Sequence, residues 1–278
     1  MAVIIIALFL LGLAAGSFVN ALVWRLREQQ NTKKTQSKPN LSIVNGRSMC
    51  PNCRHVLAWY DLIPIISWLA LRGRCRYCGQ AISIQYPLVE LAGGVVFGGS
   101  YWFWPQTVHQ NGQWILLAAW LAAFVGLLAL AVCDLRWMLL PNKILYPALL
   151  VAVVGRVAYI AAYAPRKPHA LAMWLGSVAI ASGVFWLLYT ISQGKWIGYG
   201  DVRLGLVTGT LLAYPGTSFL MIFLASALGS LSVVPELAKG QKTMASRLPY
   251  GPFLIAATVV CVVFGQSILD WYNHFFAL

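Results

Sequence analysis

Charged residues, and acidic ones above all, are scarce in this chain of 278 residues. Only 10% of the residues are charged, and Asp and Glu together number seven, whereas about 25% of the residues in an average soluble domain are charged. This scarcity excludes a soluble globular enzyme. Apolar residues take the place of charge, at 60% of the chain with a mean hydropathy of +0.72. The composition therefore predicts a protein embedded in a lipid bilayer.

The sequence patterns of several common enzyme classes are also missing. There is no HExxH segment, and the four histidines, His55, His109, His169 and His274, are scattered along the chain. A zinc hydrolase of that type and a histidine-centred catalytic triad therefore have little support. No glycine-rich nucleotide-binding fingerprint is visible, although the chain has 24 glycines.

Long apolar runs predict about eight transmembrane helices, because a helix needs roughly 20 mostly apolar residues to cross the hydrocarbon core. The stretch 204–236 is too long for one straight span, and the turn signal Tyr214-Pro215-Gly216 divides it. The fold class is therefore an all-α polytopic membrane protein. The predicted spans are Val3–Trp24, Pro87–Trp104, Trp114–Cys133, Lys143–Ala164, Ala170–Ile191, the two halves of 204–236, and Gly251–Leu269.

The positions of the basic residues predict the topology of the chain. Twenty Lys and Arg against seven acids give a net charge of +13. If segment 25–86 is cytoplasmic, all of these basic residues except Arg156, Arg166 and Lys167 fall on the cytoplasmic side, in agreement with the positive-inside rule. The basic excess then reflects membrane insertion and attraction to anionic lipid, and no nucleic acid is expected as a partner.

Segment 25–86 is polar and basic, and it contains two CxxC pairs. It begins with a polar linker, 28–45, for which no structure is expected. Cys50-Pro51-Asn52-Cys53 and Cys75-Arg76-Tyr77-Cys78 follow, and four thiolates at about this spacing can close a tetrahedron around zinc. The alternatives are two disulfides, which the reducing cytosol disfavours, and a redox motif, which needs no second copy. Because four thiolates leave no position for a catalytic water, the predicted zinc is structural.

Two of the seven acids fall at the same predicted depth. Asp134 ends the third predicted span and Asp201 precedes the sixth, with two complete spans between them. An even number of crossings returns the chain to the same face, so both acids are predicted at the cytoplasmic margin. Charged residues near a hydrocarbon boundary are costly and are candidates for function. The alternative is that Asp134 pairs with Arg136 or Lys143, and Asp201 with Arg203, as ordinary interfacial ions.

The segments around the two acids favour a catalytic pair. Gly198-Tyr199-Gly200-Asp201 places two glycines before one acid, where they permit a close approach of the substrate backbone. Pro141 ends or restarts a helix beyond Asp134. Two close carboxylates cannot easily both ionise, so they share one proton. One then accepts a proton from an attacking water while the other donates to the developing oxyanion and the leaving amine, which suits peptide hydrolysis.

Seven segments spread over nearly the whole chain match one family pattern. They are Gly16-Ser17-Phe18-Val19-Asn20, Asp61-Leu62-Ile63-Pro64-Ile65-Ile66-Ser67-Trp68-Leu69, Leu71-Arg72-Gly73-Arg74-Cys75, Tyr86-Pro87-Leu88-Val89-Glu90, Asp134 with Arg136 and Pro141, Gly198-Tyr199-Gly200-Asp201, and Pro249-Tyr250-Gly251-Pro252. On these motifs the chain resembles the type IV prepilin peptidase family, the GxGD intramembrane aspartyl proteases that process prepilins and pseudopilins. Departures are modest: Arg203 stands where a Lys is frequent, and Gln85 where an Arg often precedes the Tyr-Pro pair.

The resemblance implies a function and a set of site residues. Asp134 and Asp201 would form the catalytic dyad, and the substrate would carry a short basic leader ending in Gly, cut on the cytoplasmic side just before an apolar helix. Many members also methylate the new N-terminal amine with S-adenosylmethionine, for which segment 25–86 and Glu90 are suspected here. The residues expected to position substrate or support the motifs are Gly198, Gly200, Arg136, Pro141, Arg203, Gly251 and Pro252.

The sequence as a whole predicts three segments. These are a first transmembrane helix at 1–24, a zinc-ribbon-like cytoplasmic insert at 25–86, and a multi-helix membrane domain at 87–278 that carries both aspartates. The expected location is the bacterial inner membrane, with lipid and a prepilin or pseudopilin as partners. A competing hypothesis is a cation transporter or metal sensor that uses the same acids and cysteines. Cation flux that depends on both aspartates, without proteolysis, would favour this competitor.

Overall fold

The computed structural model describes residues 1–32, 46–108, 112–164, 166–238 and 248–275. These residues are almost entirely helical, and they form no β-strand, only the isolated antiparallel bridges Met49–Val56 and Arg74–Ala81. The predicted all-α fold class is confirmed. The elements are α1 (Ala2–Thr32), a 3-10 turn (Trp59–Leu62), α2 (Ile66–Ala70), α3 (Gln85–Trp102), α4 (Gln113–Trp137), α5 (Asn142–Tyr163), α6 (Lys167–Ser192), α7 (Tyr199–Leu212), α8 (Pro215–Ala238) and α9 (Gly251–Phe275).

Every described helix except α2 and the 3-10 turn corresponds to one of the predicted spans. Six of them, α1, α4, α5, α6, α8 and α9, are long and apolar enough to cross a membrane. The 14 residues of α7 extend only about 21 Å, against a hydrocarbon core about 30 Å thick. The 18 residues of α3 include four glycines and a polar first turn, which lower its hydropathy. The chain is a multi-pass membrane protein.

The predicted division at Tyr214-Pro215-Gly216 is confirmed. Helix α7 ends at Leu212, and Ala213 takes a left-handed conformation with φ +52° while its N–H donates to the carbonyl of Gly209. Helix α8 then begins at Pro215, whose fixed φ suits the first position of a helix and whose missing N–H costs nothing there.

The described residues form two compact units, Met1–Trp102 and Phe103–Leu278. In the first unit, glycines bring α1 and α3 into close contact: a Cβ added to Gly12 would lie 2.3 Å from the carbonyl oxygen of Gly93. Such approaches between membrane helices depend on small residues. Helix α1 continues to Thr32, beyond the predicted first segment. Residues 33–45 of the predicted linker lie outside the described residues.

In the second unit, the short helix α7 packs against α5, α6, α8 and α9. Its contact with α6 is close, because a Cβ on Gly205 would lie 2.4 Å from the carbonyl oxygen of Ala181. Two hydroxyls of α6 also bind the α7 backbone: Ser177 donates to the carbonyl of Gly209 at 2.7 Å, and Ser182 donates to that of Val202 at 2.9 Å. These contacts fix the helix whose first turn carries Asp201.

Candidate active site and metal centre

Asp134 lies in the last turn of α4 and is buried, with 6% of its surface exposed. The helix ends three residues later, where Met138 adopts a left-handed conformation and donates its N–H to the Asp134 carbonyl at 2.8 Å. This turn ends α4 and leads into Pro141, the N-cap residue of α5. The predicted helix restart at the proline is confirmed.

Asp201 lies in the first turn of α7, three residues after the N-cap residue Gly198. The N–H of Gly198 is hydrogen-bonded to the Asp201 carboxylate, and the charge of Asp134 is close enough to act on Asp201. The fold therefore brings together two acids that are 67 positions apart in the sequence.

Gly251, the first residue of α9, touches the Asp134 carboxylate directly. Its N–H donates to Oδ2 of Asp134 at 3.0 Å, so that a helix N-terminus supplies one of its free amides to the acid. A Cβ at this position would lie 2.8 Å from the same oxygen, a contact that real Cβ atoms do not make. Pro252 follows in the first turn of α9, where proline is well tolerated. A side chain at position 251 would therefore displace either the Asp134 carboxylate or the start of α9.

Tyr250 is a site residue that sequence reasoning did not single out. Its ring packs edge-on against Phe185 with centroids 5.7 Å apart, its hydroxyl lies 3.2 Å from the hydroxyl of Ser226, and its phenol is within electrostatic range of Asp201. Burial raises the pKa of this phenol, with the hydrogen bond to Ser226 opposing and the charge of Asp201 adding to the rise. The signal in the sequence was its place in the motif Pro249-Tyr250-Gly251-Pro252.

The interfacial ion pairs considered as an alternative do not form among the described residues. Neither Asp134 nor Asp201 is paired there with an Arg or Lys. Arg203 instead donates to the side chain of Asn142, the first residue of α5, and its guanidinium lies 5.1 Å from the Tyr199 ring centroid. Arg136 lies over the Trp137 ring at 5.6 Å. Each arginine is two residues from an acid in the sequence but contacts other groups.

The second predicted glycine of the motif, Gly200, packs against the loop after α4. A Cβ there would lie 3.0 Å from Cδ1 of Leu140, whereas one at Gly198 would meet Oδ2 of Asp201 at 3.7 Å, an ordinary contact. A side chain would therefore be more crowded by its neighbours at position 200 than at 198, and most crowded at 251.

In the first unit, the four predicted cysteine ligands meet at one point. The sulfur atoms of Cys50, Cys53, Cys75 and Cys78 all lie within 4.8 Å of one another, and those of Cys50 and Cys78 are 3.9 Å apart. Zn–S bonds of about 2.3 Å in a tetrahedron place sulfurs about 3.8 Å apart. All four cysteines are free thiols, and together they could hold a metal ion.

The two CxxC segments fold as matching knuckles. In the first, the N–H of Cys50 donates to the His55 carbonyl, and in the second the N–H of Cys75 donates to the Gln80 carbonyl. The residue after the second cysteine has positive φ in both, +58° at Arg54 and +68° at Gly79. This repetition presents two sulfurs from each knuckle to a shared centre.

The thiols differ in their acidity. A backbone hydrogen bond from Gln80 is the main influence on Cys78 and, with burial opposing and the Asn52 side chain assisting, lowers the pKa of this thiol to about 6. Burial raises the pKa of the Cys75 thiol, partly offset by backbone hydrogen bonds from Cys78 and Tyr77. The thiolate, which is the form that binds metal, is therefore favoured at the exposed cysteine of this pair.

A carboxylate ties the 3-10 turn to the second knuckle. Asp61 accepts hydrogen bonds from Arg76 Nε at 2.8 Å, the Tyr77 hydroxyl at 3.1 Å and the Ala58 N–H at 3.3 Å. Burial acts to raise the pKa of Asp61, but these hydrogen bonds outweigh it and the pKa is lowered. These contacts hold the 3-10 turn and the second knuckle together.

Glu90 faces a cavity of about 140 Å³ in the first unit. Its Oε2 accepts the N–H of Ile65 at 2.7 Å, and Ile65 has a positive φ of +61°. Asn20 lines the same cavity; its amide donates to the Tyr86 carbonyl at 3.0 Å, while its buried Oδ1 has no partner among the described residues. The residues that line the cavity thus include the carboxylate of Glu90 and an asparagine, Asn20, whose buried Oδ1 has no partner among the described residues.

Comparisons with known proteins agree on one family. Residues 10–104 match the model of the bacterial peptidase A24 N-terminal domain, and residues 115–234 match that of the type IV leader peptidase family. No solved structure matches. Similar curated proteins include prepilin leader peptidase/N-methyltransferases from Xanthomonas campestris (32% identical, covering 96% of this chain and 94% of the relative), Stutzerimonas stutzeri (31%, 98% and 94%) and Pseudomonas aeruginosa (30%, 98% and 94%).

The two matched regions together span both structural centres described above. The N-terminal match contains the four-cysteine cluster and Glu90, and the second match contains Asp134 and Asp201. The chain belongs to the type IV leader peptidase family and is a peptidase.

Proposed function

We propose that this protein removes the short leader of a type IV prepilin or pseudopilin by aspartyl catalysis at the cytoplasmic face of the bacterial inner membrane. The observation that carries the proposal is the meeting of Asp134 and Asp201 in one unit, with no cation paired to either among the described residues. The curated relatives are named for prepilin leader cleavage. The distribution of Lys and Arg supports the cytoplasmic orientation.

In the proposed mechanism the two carboxyl groups share one proton, because two adjacent negative charges in a poorly solvated site repel each other. The ionised carboxylate accepts a proton from a water molecule while the oxygen of that water attacks the scissile carbonyl carbon. The protonated carboxyl donates to the developing oxyanion, and a proton then passes to the leaving amine as the C–N bond breaks. The Gly251 N–H holds Asp134 in place during these steps.

The scissile bond must lie outside a regular helix to reach this pair, because helical hydrogen bonds and side chains shield the carbonyl carbon. A junction between a polar leader and an apolar helix, at the membrane margin where α4 ends and α7 begins, meets that requirement. Tyr250 and Gly200 flank this position and are the residues that we expect to contact the substrate backbone.

Leader cleavage is distinguished from cation transport by one reconstitution experiment. Purified protein in liposomes is given a peptide with a basic leader ending in Gly before an apolar segment, and cation flux is followed in parallel. We expect a single cut after that Gly and no flux. Flux without cleavage, lost in Asp134→Asn, would support the transporter hypothesis instead.

We propose that the four cysteines hold a structural zinc ion. Four thiolates fill a tetrahedral shell, so Cys50, Cys53, Cys75 and Cys78 would fix the two knuckles to each other and leave no position for substrate. A polar insert of this length has too small a core to fold stably without such a crosslink.

Removal of one thiol tests the zinc assignment. In Cys75→Ser we expect the zinc content of the purified protein to fall from about one ion per chain toward zero, with faster proteolysis of the insert, because three thiolates bind more weakly. Cys261→Ala is the control, since this buried cysteine lies in α9. Unchanged zinc content in Cys75→Ser, measured by elemental mass spectrometry, contradicts the assignment.

We further propose that the cavity beside Glu90 serves N-methylation of the new N-terminus. S-adenosylmethionine supplies a methyl group to an amine when bound. Its ammonium group and ribose hydroxyls are donors, which suits the acceptors present here, the Glu90 carboxylate and the unpartnered Oδ1 of Asn20. Trp24 and Trp68 also line the cavity and offer aromatic faces to a cation.

The methylation proposal predicts that the two activities separate. In Glu90→Gln, whose amide oxygen still accepts the Ile65 N–H, we expect methylation of the product to fall at least about tenfold while cleavage stays within about twofold, since a charged partner is worth roughly 1.5 kcal/mol or more. Glu28→Gln, at a surface ion pair with Arg54, is the control. The mass of the product reports its methylation. If Glu90→Gln methylates the product as well as the unmodified protein does, Glu90 does not belong to the methylation site.

A further inference from the structure

A second cavity, of about 230 Å³, lies within the Phe103–Leu278 unit at the end away from the aspartates. Its walls include the first residue of α4, Gln113, and the C-terminal residues of α7, Leu211 and Leu212. Arg156, on α5, also lines the cavity. At 1.5 Å per residue, it lies about 21 Å along the helix from Asn142, the first residue of α5. Because the catalytic acids lie near the end of α4 and the start of α7, this cavity is separate from the active site.

Arg156 brings a positive charge to this cavity, and its Nε atom is buried. One of its terminal nitrogens donates to the carbonyl of Leu211 at 2.9 Å. This hydrogen bond caps the C-terminus of α7, whose last carbonyls have no donor within the helix. Its Nε is buried and has no hydrogen-bond partner among the described residues. A buried N–H group without an acceptor is costly, so an acceptor that reached it would stabilise the folded protein.

The described residues supply no negative charge to balance Arg156. No Asp or Glu lines the cavity within the described ranges. Asp270, on the same helix as the cavity residue Gln266, is exposed and already accepts a hydrogen bond from the Gln266 amide at 2.8 Å. The described residues that line the cavity therefore offer Arg156 a backbone carbonyl but no carboxylate.

Other donors converge on the same space. Tyr159, one turn after Arg156 on α5 and in electrostatic contact with it, accepts a hydrogen bond from the Gln113 amide at 3.4 Å and so keeps its own hydroxyl proton for another acceptor. Gln106 accepts from the same Gln113 amide at 2.6 Å, and its own NH₂ group adds a donor to the residues that line the cavity. Arginine with neighbouring hydroxyl and amide donors is the arrangement that binds phosphate and carboxylate oxygens in proteins.

We propose that this cavity is a binding site for a phosphate group, with Arg156 as its counter-ion and Tyr159 as a second donor. The phosphate can come from a phospholipid headgroup, because the cavity lies where α4 begins and α7 ends, or from free phosphate in solution. Binding joins the end of α7 to α5 through the charge of Arg156, and so stabilises the helix that carries Asp201.

The test separates the two sources of phosphate. Delipidated full-length protein in a maltoside detergent is titrated with inorganic phosphate or with a short-chain phosphatidylglycerol, at constant ionic strength set by chloride. Thermal unfolding and the fluorescence of Trp104 and Trp120, both in the cavity wall, report binding, since a ligand of the folded state raises the unfolding temperature. A response to phosphatidylglycerol alone identifies the lipid headgroup, and a response to both or to phosphate alone identifies a general phosphate site.

Variants tie the response to the cavity. In Tyr159→Phe, which leaves the contact between Arg156 and Leu211 intact, we expect at least a threefold weaker apparent affinity, and in Arg156→Gln at least a tenfold weaker one. Arg166→Gln, which removes an exposed arginine from the same predicted side, should bind as the unmodified protein does. The proposal is overturned if the unmodified protein responds to neither probe. It is also overturned if Arg156→Gln and Tyr159→Phe bind the probe as tightly as the unmodified protein does.

Discussion

Asp134→Asn and Asp201→Asn are each expected to lower the rate of leader cleavage by at least about 10³-fold, while the protein still inserts into the membrane. Each substitution removes a group that holds or moves a proton, and such groups contribute roughly 10²- to 10⁴-fold. Asparagine keeps the size of the side chain and an acceptor for the Gly251 N–H. Purified variants in detergent, assayed with a leader peptide under single-turnover conditions, give the rates.

The double variant sharpens this expectation. The effects of substituting groups that act as one unit are not additive. The double variant Asp134→Asn/Asp201→Asn should therefore lose no more activity than the less active of the two single variants. Asp270→Asn makes the same chemical change at an exposed position and should leave the rate unchanged. Losses that multiply in the double variant would mean that the acids act separately.

Gly251→Ala is the second change with a large expected effect. Its Cβ would lie 2.8 Å from Oδ2 of Asp134, so either the carboxylate or the start of α9 must move, and the 3.0 Å hydrogen bond to the acid is lost or lengthened. A displacement of about 1 Å at a catalytic group can lower a rate about 10²-fold. We expect a loss of that size in the rate constant for cleavage, with little change in thermal stability.

Gly183→Ala is the matched control for this substitution. No atom lies within 4 Å of a Cβ at Gly183 on α6, so alanine is accommodated there and should improve the helix slightly. Cleavage by Gly251→Ala at the rate of Gly183→Ala would show that the position of Asp134 does not depend on this contact.

Most of the membrane architecture could be predicted from the sequence, because apolar runs and turn signals act locally. The break at Tyr214-Pro215-Gly216 is an example, since proline and the left-handed Ala213 end one helix and start another. The sequence showed that the first half of 204–236 is short, but not that α7 begins at Tyr199 or that α1 continues as a helix to Thr32. Those bounds depend on packing and capping contacts with distant residues.

The sequence predicted that the two aspartates lie at the same depth in the membrane, but it did not predict which residues contact them. Counting spans placed Asp134 and Asp201 at one face, but no local pattern shows that the N–H of Gly251 binds Asp134, or that Tyr250 lies near Asp201. The charge neighbours of the acids were equally hidden, since Arg203 is two residues from Asp201 but contacts Asn142.

The cysteine cluster was predictable for the opposite reason. Each CxxC knuckle is closed by its own backbone hydrogen bonds, within six residues, so spacing alone carries most of its geometry. The cavity of Arg156 had no such signature, because its residues come from five helices and the loop before α4.

Intact-mass spectrometry of a prepilin co-expressed with this protein or its Asp201→Asn variant tests the central claim most directly. With the unmodified protein we expect a product that lacks the leader up to its final Gly, and with Asp201→Asn only the uncut precursor. A fully processed product in cells that make Asp201→Asn, at matched expression in the membrane and with no other leader peptidase present, would contradict catalysis by the aspartate pair.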